Sequence, residues 1–244
     1  MKDWFKDWFA SDLYLAVYKH RDEADAYQLC NLILNSTKIS KGSFILDAAC
    51  GGGRHANYFS SCGFNVTGFD LSKTLLNVAL KQAREQNLNT KFFCSDLRNV
   101  VLMKKFDLVT NLFTSFGYFE NDKENFAFIS SAFALLNNDG FYVLDYLNPS
   151  YIEKNLIEES SRKIDGAEIV ERRMIRNRRV EKEITIRKND IEKRFLESVS
   201  LYSKEFLVSK ICEIGFNLFD CFGDYSGNTY SEDNSQRMIL IFRK

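Results

Sequence analysis

Between residues 44 and 147, short apolar runs alternate with stretches of helical periodicity, the pattern of an α/β chain built on one largely parallel sheet. Phe44, Ile45 and Leu46 form the first run, closed by Asp47, and Ala49 to Gly53 supply small residues where the backbone must turn into a helix. That helix runs from Arg54 to about Cys62 and stops at Gly63, since glycine takes up the left-handed conformation after a helix at least cost. The next strand, Asn65 to Phe69, closes on Asp70. Ser72 is placed to cap a helix whose Leu75, Leu76, Ala79, Leu80 and Ala83 share one face. Lys91 to Cys94 make a third strand ending at Ser95 and Asp96. Phe106 to Leu112 are almost continuously apolar, as a strand buried on both faces requires. Asn121 and Glu124 form a capping box before a helix striped by Phe126, Ile129, Phe133 and Leu136, and Phe141 to Leu147 give the fifth strand.

After Gly166 the period changes. Alternation in VEKEITI and RFLESVSLY, with Asn177-Arg178 and Asn189-Asp190 as turns, predicts a three-stranded antiparallel meander over 166–201. Its arginines (Arg172, Arg173, Arg176, Arg178, Arg179) interleave with Glu168, Glu171, Glu181 and Glu183, which reads as a solvated face with cross-strand ion pairs. Ser203 opens a helix bearing Leu207, Ile211 and Ile214, and Phe216–Phe222 and Met238–Phe242 are the last two strands. At the other end, Trp4 with Trp8 and Phe5 with Phe9 stand four apart, so a helix within residues 1–20 carries its rings on one face. That face either packs on the body or forms a lid over a ligand. A helix over about Asp22 to Ser36 follows.

Composition narrows the class of protein. With 244 residues and 45% hydrophobic content the chain can bury one full core. Lys plus Arg equals Asp plus Glu at 33 each, so no global field draws it to nucleic acid or membrane. The six cysteines include no C-x-x-C pair and read as reduced residues of a cytoplasmic protein, not as metal ligands. The charged start, MKDWFKDWFASDLY, does not suit a signal peptide, and no stretch reaches membrane-spanning length.

The chemistry concentrates at the first turn. Gly51, Gly53 and Ala56 fit the G-x-G-x-x-G/A dinucleotide spacing, with Asp70 placed to hold a ribose, and a nicotinamide cofactor therefore remains one reading. Asp47 argues for another, because a carboxylate directly before the glycines opposes a pyrophosphate and suits a cation. LDAACGGGRH followed by GFDLS resembles the first two motifs of the class I S-adenosylmethionine (SAM)-dependent methyltransferases. The resemblance extends over nearly the whole chain and implies a Rossmann-like, doubly wound sheet of seven mostly parallel strands in the order 3-2-1-4-5-7-6, with the meander inserted. It assigns to the cofactor Asp47, the loop residues Ala49, Cys50, Gly51 and Gly53, the ribose acid Asp70 with Leu71, and Ser95, Asp96 and Leu97 near adenine. Asn111, Leu112 and Phe113 follow at the end of strand four. The family usually has Gly where this chain has Ala49. From the N-terminal segment, Tyr18 and Arg21 are expected to reach the cofactor, Arg21 through its carboxylate.

The expected function is SAM-dependent methylation of a small-molecule acceptor at N or O, within one domain. Residues 1–36 would be a helical lid, 37–165 the SAM-binding core, 166–201 the meander and 202–244 a C-terminal helix and hairpin. Nucleic-acid amino-methyltransferases carry a prolyl motif at the end of strand four where this chain has Asn111-Leu112-Phe113-Thr114, which speaks against a nucleobase acceptor. An NAD-dependent oxidoreductase and a non-catalytic SAM-binding protein are the alternatives. His20, His55, Tyr118, Tyr146, Tyr225 and Tyr230 are candidates for a general base without a single choice among them. The acceptor and the choice between monomer and homodimer are not legible in the sequence.

Overall fold

The computed structural model describes residues 3–18, 23–189 and 191–244. Strand β1 (Phe44–Ala48) lies at the centre, parallel to β2 (Asn65–Asp70) on one side and β4 (Phe106–Asn111) on the other. Beyond β2 lies β3 (Lys91–Cys94); beyond β4 come β5 (Leu136–Leu147), then β11 (Arg237–Arg243), antiparallel between β5 and β10 (Asn217–Phe222). The order β3-β2-β1-β4-β5-β11-β10 is the expected 3-2-1-4-5-7-6. Since the chain leaves β1 for β2 and later returns to β4 on the opposite side, a crevice opens at the carboxyl ends of β1 and β4.

Neighbouring residues of the central strands point to opposite faces, and both faces are covered. Ile45, Leu108, Val143 and Ile239 pack against Leu29 and Ile33 of α3 (Glu23–Thr37) and Ala56 and Phe59 of α4 (Arg54–Ser61). Leu46, Val109, Leu144 and Leu240 share the other core with Phe128 and Ile129 of α6 (Asp122–Leu135) and Leu207 and Ile211 of α8 (Lys204–Glu213). Each such side chain, fully buried, contributes about 1.5–3 kcal/mol. The expected caps are present. Ser72 Oγ accepts the Leu75 N–H at the start of α5 (Lys73–Glu85), and Asn121 Oδ1 accepts that of Glu124 at 2.9 Å. The fifth strand begins earlier than its apolar run, at Leu136, because Leu136 pairs with Phe106 before an irregularity restores the register at Phe141.

The inserted sheet has four strands where the alternation predicts three: β6 (Glu159–Ile164), β7 (Ala167–Arg176), β8 (Arg179–Lys188) and β9 (Ile191–Ser200). Only Ile164 of ESSRKI is strongly apolar, so β6 carried little hydrophobic signal. The Asn177-Arg178 hairpin is present, with both residues at positive φ (52° and 57°), as a two-residue turn between twisted strands demands. Of the Asn189-Asp190 turn, Asp190 lies outside the described residues. The aromatic start folds as two helices, α1 (Trp4–Ala10) and α2 (Asp12–Val17), separated at Ser11. Trp4, Phe5, Trp8 and Val17 are buried against Ile169, Ile184 and Ile186 of the inserted sheet, and the Trp8 ring lies 4.3 Å from that of Phe195. Between α6 and β6, Pro149–Asn155 form α7.

Candidate active site

The loop between β1 and α4 turns through left-handed backbone at Ala49 (φ 52°), Gly51 (53°) and Gly53 (78°). Gly53 has no alternative, for a Cβ there would stand 2.6 Å from Cβ of Ala79. Ala49 carries the strain that a glycine would avoid. Beneath the loop Asp70 closes β2; its Oδ2 accepts the Gly51 N–H and its Oδ1 the Ser72 N–H, each at 2.8 Å. Burial raises the Asp70 carboxyl above its ordinary value against the pull of these amides. Each oxygen keeps a lone pair for a ligand hydroxyl.

Asp47 is the more unusual group. It is buried at the end of β1, one oxygen accepts the Thr110 hydroxyl at 2.9 Å, and Oδ2 has no hydrogen-bond partner among the described residues. Burial pushes its carboxyl up to about 7, against the Thr110 hydrogen bond. His55, in the first turn of α4, is also buried, with Nε2 unpartnered among the described residues; burial, then Arg54, lowers its imidazole to about 3, so it is neutral at physiological pH.

Both groups line a cavity of about 820 Å³ that opens at the carboxyl edge of the sheet. Tyr18, Ala49, Cys50, Gly51, Asp70, Leu112 and Phe113 line it too, so eight of the residues expected at the cofactor, counting Asp47, converge on one space. The rest of its wall includes Trp4, Phe9 and Tyr14 from the N-terminal helices, Tyr118, Glu197 and Val199 of β9, and Arg237. Glu197 accepts the Trp8 indole N–H at 2.7 Å and the Tyr18 hydroxyl at 2.5 Å, and pairs with Lys182 at 2.6 Å. Burial works to raise its carboxyl, but Lys182 and these donors hold it below the ordinary value. Asp145, fully buried, accepts both Nε and Nη2 of Arg237, at 2.9 and 2.7 Å, and also the Tyr225 hydroxyl. Burial opposes the Arg237 charge, yet the Asp145 carboxylate outweighs it and raises the guanidinium's pKa.

The other expected residues lie elsewhere. Gly53 is packed under the loop. Asn111 is buried and donates to Ser115 Oγ at 2.5 Å, bracing the turn after β4. Leu71 packs with the N-terminal cluster, and Ser95 is tied to the end of β2 by its amide. Asp96 is held by Arg98 at 2.6 Å; burial would raise its carboxyl, but Arg98 keeps it lowered. Leu97 sits in the core beneath α1. This corner is closed because α1 is anchored there: Ser72 Oγ donates to the Phe9 carbonyl at 2.6 Å, and Arg98 also reaches Asp3 and Glu124. Arg21 and His20 lie outside the described residues. Glu197 was not foreseen, although an acid between Phe195 and Val199 on the inward face of an alternating strand is a legible anomaly.

Residues 45–140 match the family model described as a methyltransferase domain. A putative methyltransferase of Geobacillus sp. (strain WCH70) is 34% identical over 101 residues, 41% of this chain and 41% of that protein. The dTDP-3-amino-3,4,6-trideoxy-alpha-D-glucopyranose N,N-dimethyltransferase of Streptomyces venezuelae is 29% identical over 138 residues, 55% of this chain and 56% of that protein. The matched segments thus span 41% and 56% of the length of these curated relatives. In fold, the crystal structure of an S-adenosylmethionine-dependent methyltransferase from Clostridium acetobutylicum is similar with a TM-score of 0.82 at 20% identity, covering 95% of this chain and 98% of that one. Asp47, the glycine loop, Asp70 and Phe113 fall inside the matched segment of the methyltransferase domain, whereas Tyr18, Glu197 and Arg237 fall outside it. Among the described residues no helix is long and apolar enough to cross a membrane, and no cluster of His, Cys, Asp and Glu is arranged to hold a metal.

Proposed function

We propose that this protein transfers a methyl group from SAM to a small, polar metabolite, at nitrogen or oxygen. The observation that carries the reading is Asp47, a buried carboxylate whose Oδ2 has no partner among the described residues and which lines the same cavity as the glycine loop and Asp70. An ammonium would satisfy that oxygen, while a pyrophosphate would be repelled by it. The donor set therefore fits SAM: Asp47 for its ammonium, the loop amides from Ala49 to Gly53 for close backbone approach, Asp70 for the ribose hydroxyls. Arg21 is the expected partner of its carboxylate.

Bound there, SAM supplies a methyl group on a sulfonium, ready for in-line displacement. The protein's part is to hold an acceptor against it and exclude water. Trp4, Phe9, Tyr14, Tyr18 and Tyr118 give the cavity an aromatic wall suited to both tasks. Neutral His55 can take a hydrogen bond from an incoming N–H or O–H without competing as a cation. A cavity walled by the N-terminal helices and β9 and a charge balance of 33 to 33 favour a small molecule over a nucleic acid. Six free cysteines support a reducing, cytoplasmic setting. We also read the chain as a single domain with α1 and α2 as its lid; α3, which the sequence grouped with that lid, belongs instead to the layer covering the sheet.

Isothermal titration with SAM and with NAD(H), followed by transfer of labelled methyl into a size-filtered metabolite extract, tests the proposal. SAM binding and label in small molecules are expected. Binding of NAD(H) alone, or label found only in the retained macromolecules and removed by nuclease or protease, would sink it.

A further inference from the structure

The segment that follows β4 is strained and held at both ends. Phe113 (φ 57°) and Thr114 (φ 61°) are consecutive non-glycine residues in the left-handed region, a conformation that persists only where surrounding contacts impose it. Asp145 imposes it at one end, its Oδ2 accepting the Phe113 N–H at 2.8 Å and its backbone carbonyl the Thr114 N–H at 3.0 Å. The other end is gripped from the inserted sheet. Arg179, the first residue of β8, donates to the carbonyls of Gly117, Tyr118 and Phe119 at 3.2, 3.2 and 3.0 Å. It is anchored in turn by Ser198 Oγ at 2.8 Å, Ser198 O at 2.8 Å and Ser200 Oγ at 2.6 Å.

Arg179 thus departs from the solvated face expected of its neighbours. Arg172 and Arg176 make exposed pairs with Glu159 and Glu181, and Arg173 pairs with Glu171, but among the described residues no carboxylate lies within ion-pair distance of Arg179. Its partners are six neutral oxygens, three of them successive carbonyls of one loop. A planar guanidinium with five fixed N–H donors can serve such a set, whereas a lysine ammonium offers three donors from one point. Between the two clamps the segment presents Phe113, Thr114, Ser115 and Tyr118 to the cavity.

We propose that Arg179 is a positioning residue for methyl transfer: by gripping the carbonyls of residues 117–119 it fixes Tyr118 in the cavity wall, so that the inserted sheet sets the acceptor's geometry and leaves the cofactor cradle untouched. The role rests on the methyltransferase reading above, but the clamp itself is open to a test that needs no activity. In Arg179→Lys, amide exchange of residues 115–119 is expected to quicken by about tenfold or more, with residues 44–53 and Phe113 unchanged. The dissociation constant of S-adenosylhomocysteine should stay within about twofold of wild type, and labelled methyl transfer from SAM into a size-filtered extract should fall about tenfold or more. If Arg179 acts through Tyr118, Arg179→Lys added to Tyr118→Ala costs no further transfer. Unchanged exchange over 115–119 overturns the proposal. So does a loss of S-adenosylhomocysteine affinity that tracks the loss of transfer, with faster exchange at 44–53, which marks a merely structural role. Should Arg179→Lys fail to fold, Ser198→Ala with Ser200→Ala loosens the guanidinium's anchor and must quicken the same segment. A wild-type protein that does not bind S-adenosylhomocysteine refutes the functional reading and leaves the exchange test of the clamp standing.

Discussion

Replacing Asp47 by Asn should make the ligand-free protein more stable at alkaline pH while weakening its ligand affinity. The Asp47 carboxyl is raised from 3.8 to about 7, first by burial and further by the nearby Asp70 charge, with the Thr110 hydroxyl and the Ala56 amide pulling the other way. A proton is therefore bound more tightly in the folded state than in the unfolded one. The sign follows: the contribution of Asp47 to folding stability is fully present below about pH 4, declines as pH rises through the interval between the two pKa values, and levels off above about 7. At 1.36 kcal/mol for each pH unit of that interval, the full decline is roughly 4 kcal/mol. Asn removes the charge and keeps an acceptor for the Thr110 hydroxyl, but its amide N–H groups meet the same empty side, at a cost of about 1–3 kcal/mol. The net gain at pH 8 is then about 1–3 kcal/mol, shrinking to nothing or reversing by about pH 5. Urea unfolding of both proteins between pH 5 and 8 without ligand measures this directly. An ammonium seated on Asp47 inverts the balance, so S-adenosylhomocysteine should bind the Asn variant about tenfold or more weakly. Parallel stability curves for the two proteins across this pH range would refute the reasoning, since the Asp47 carboxylate would then be as well solvated folded as unfolded.

Asp70→Ala removes the acceptor of two buried amides as well as the expected ribose ligand; stability should fall by about 1–3 kcal/mol and S-adenosylhomocysteine affinity about tenfold or more, and an unchanged dissociation constant by titration calorimetry would discard the ribose assignment. Ala49→Gly relieves a left-handed alanine at the price of a looser unfolded chain, for a net gain of about 0.5–1 kcal/mol in chemical denaturation; a net loss would mean that the Ala49 methyl contributes packing that outweighs its strain. If the N-terminal helices act as a lid, amide exchange over residues 3–18 should slow on adding SAM, and equal exchange with and without it would reduce them to ordinary packing.

The main sheet was legible because its strands announce themselves locally. Ile45-Leu46, Leu108-Val109 and Val143-Leu144 must be apolar in succession, since adjacent residues face opposite cores; Gly63 marks a helix end through its left-handed backbone, and Ser72 and Asn121 mark helix starts through side-chain oxygens that accept backbone N–H groups. The first half of the site was legible for the same reason: Asp47, the loop to Gly53 and Asp70 lie within one β-turn-α-β unit, so chain connectivity alone brings them together. Strand β6 left little trace because Ile164 alone among its side chains is strongly apolar, and the register that joins it to β7 comes from backbone pairing. What only the tertiary structure decided is where charges go once neighbours from distant sequence arrive. Asp96, expected near the adenine of the cofactor, is paired with Arg98 under a helix that begins at Trp4. Arg179, one arginine in a run that otherwise reads as surface, turns inward because three carbonyls some sixty residues earlier converge where its guanidinium can reach them. Hydrophobic periodicity reports which face of an element is buried; it carries no information about which distant polar group will be waiting there, and that pairing decides the wall of this cavity.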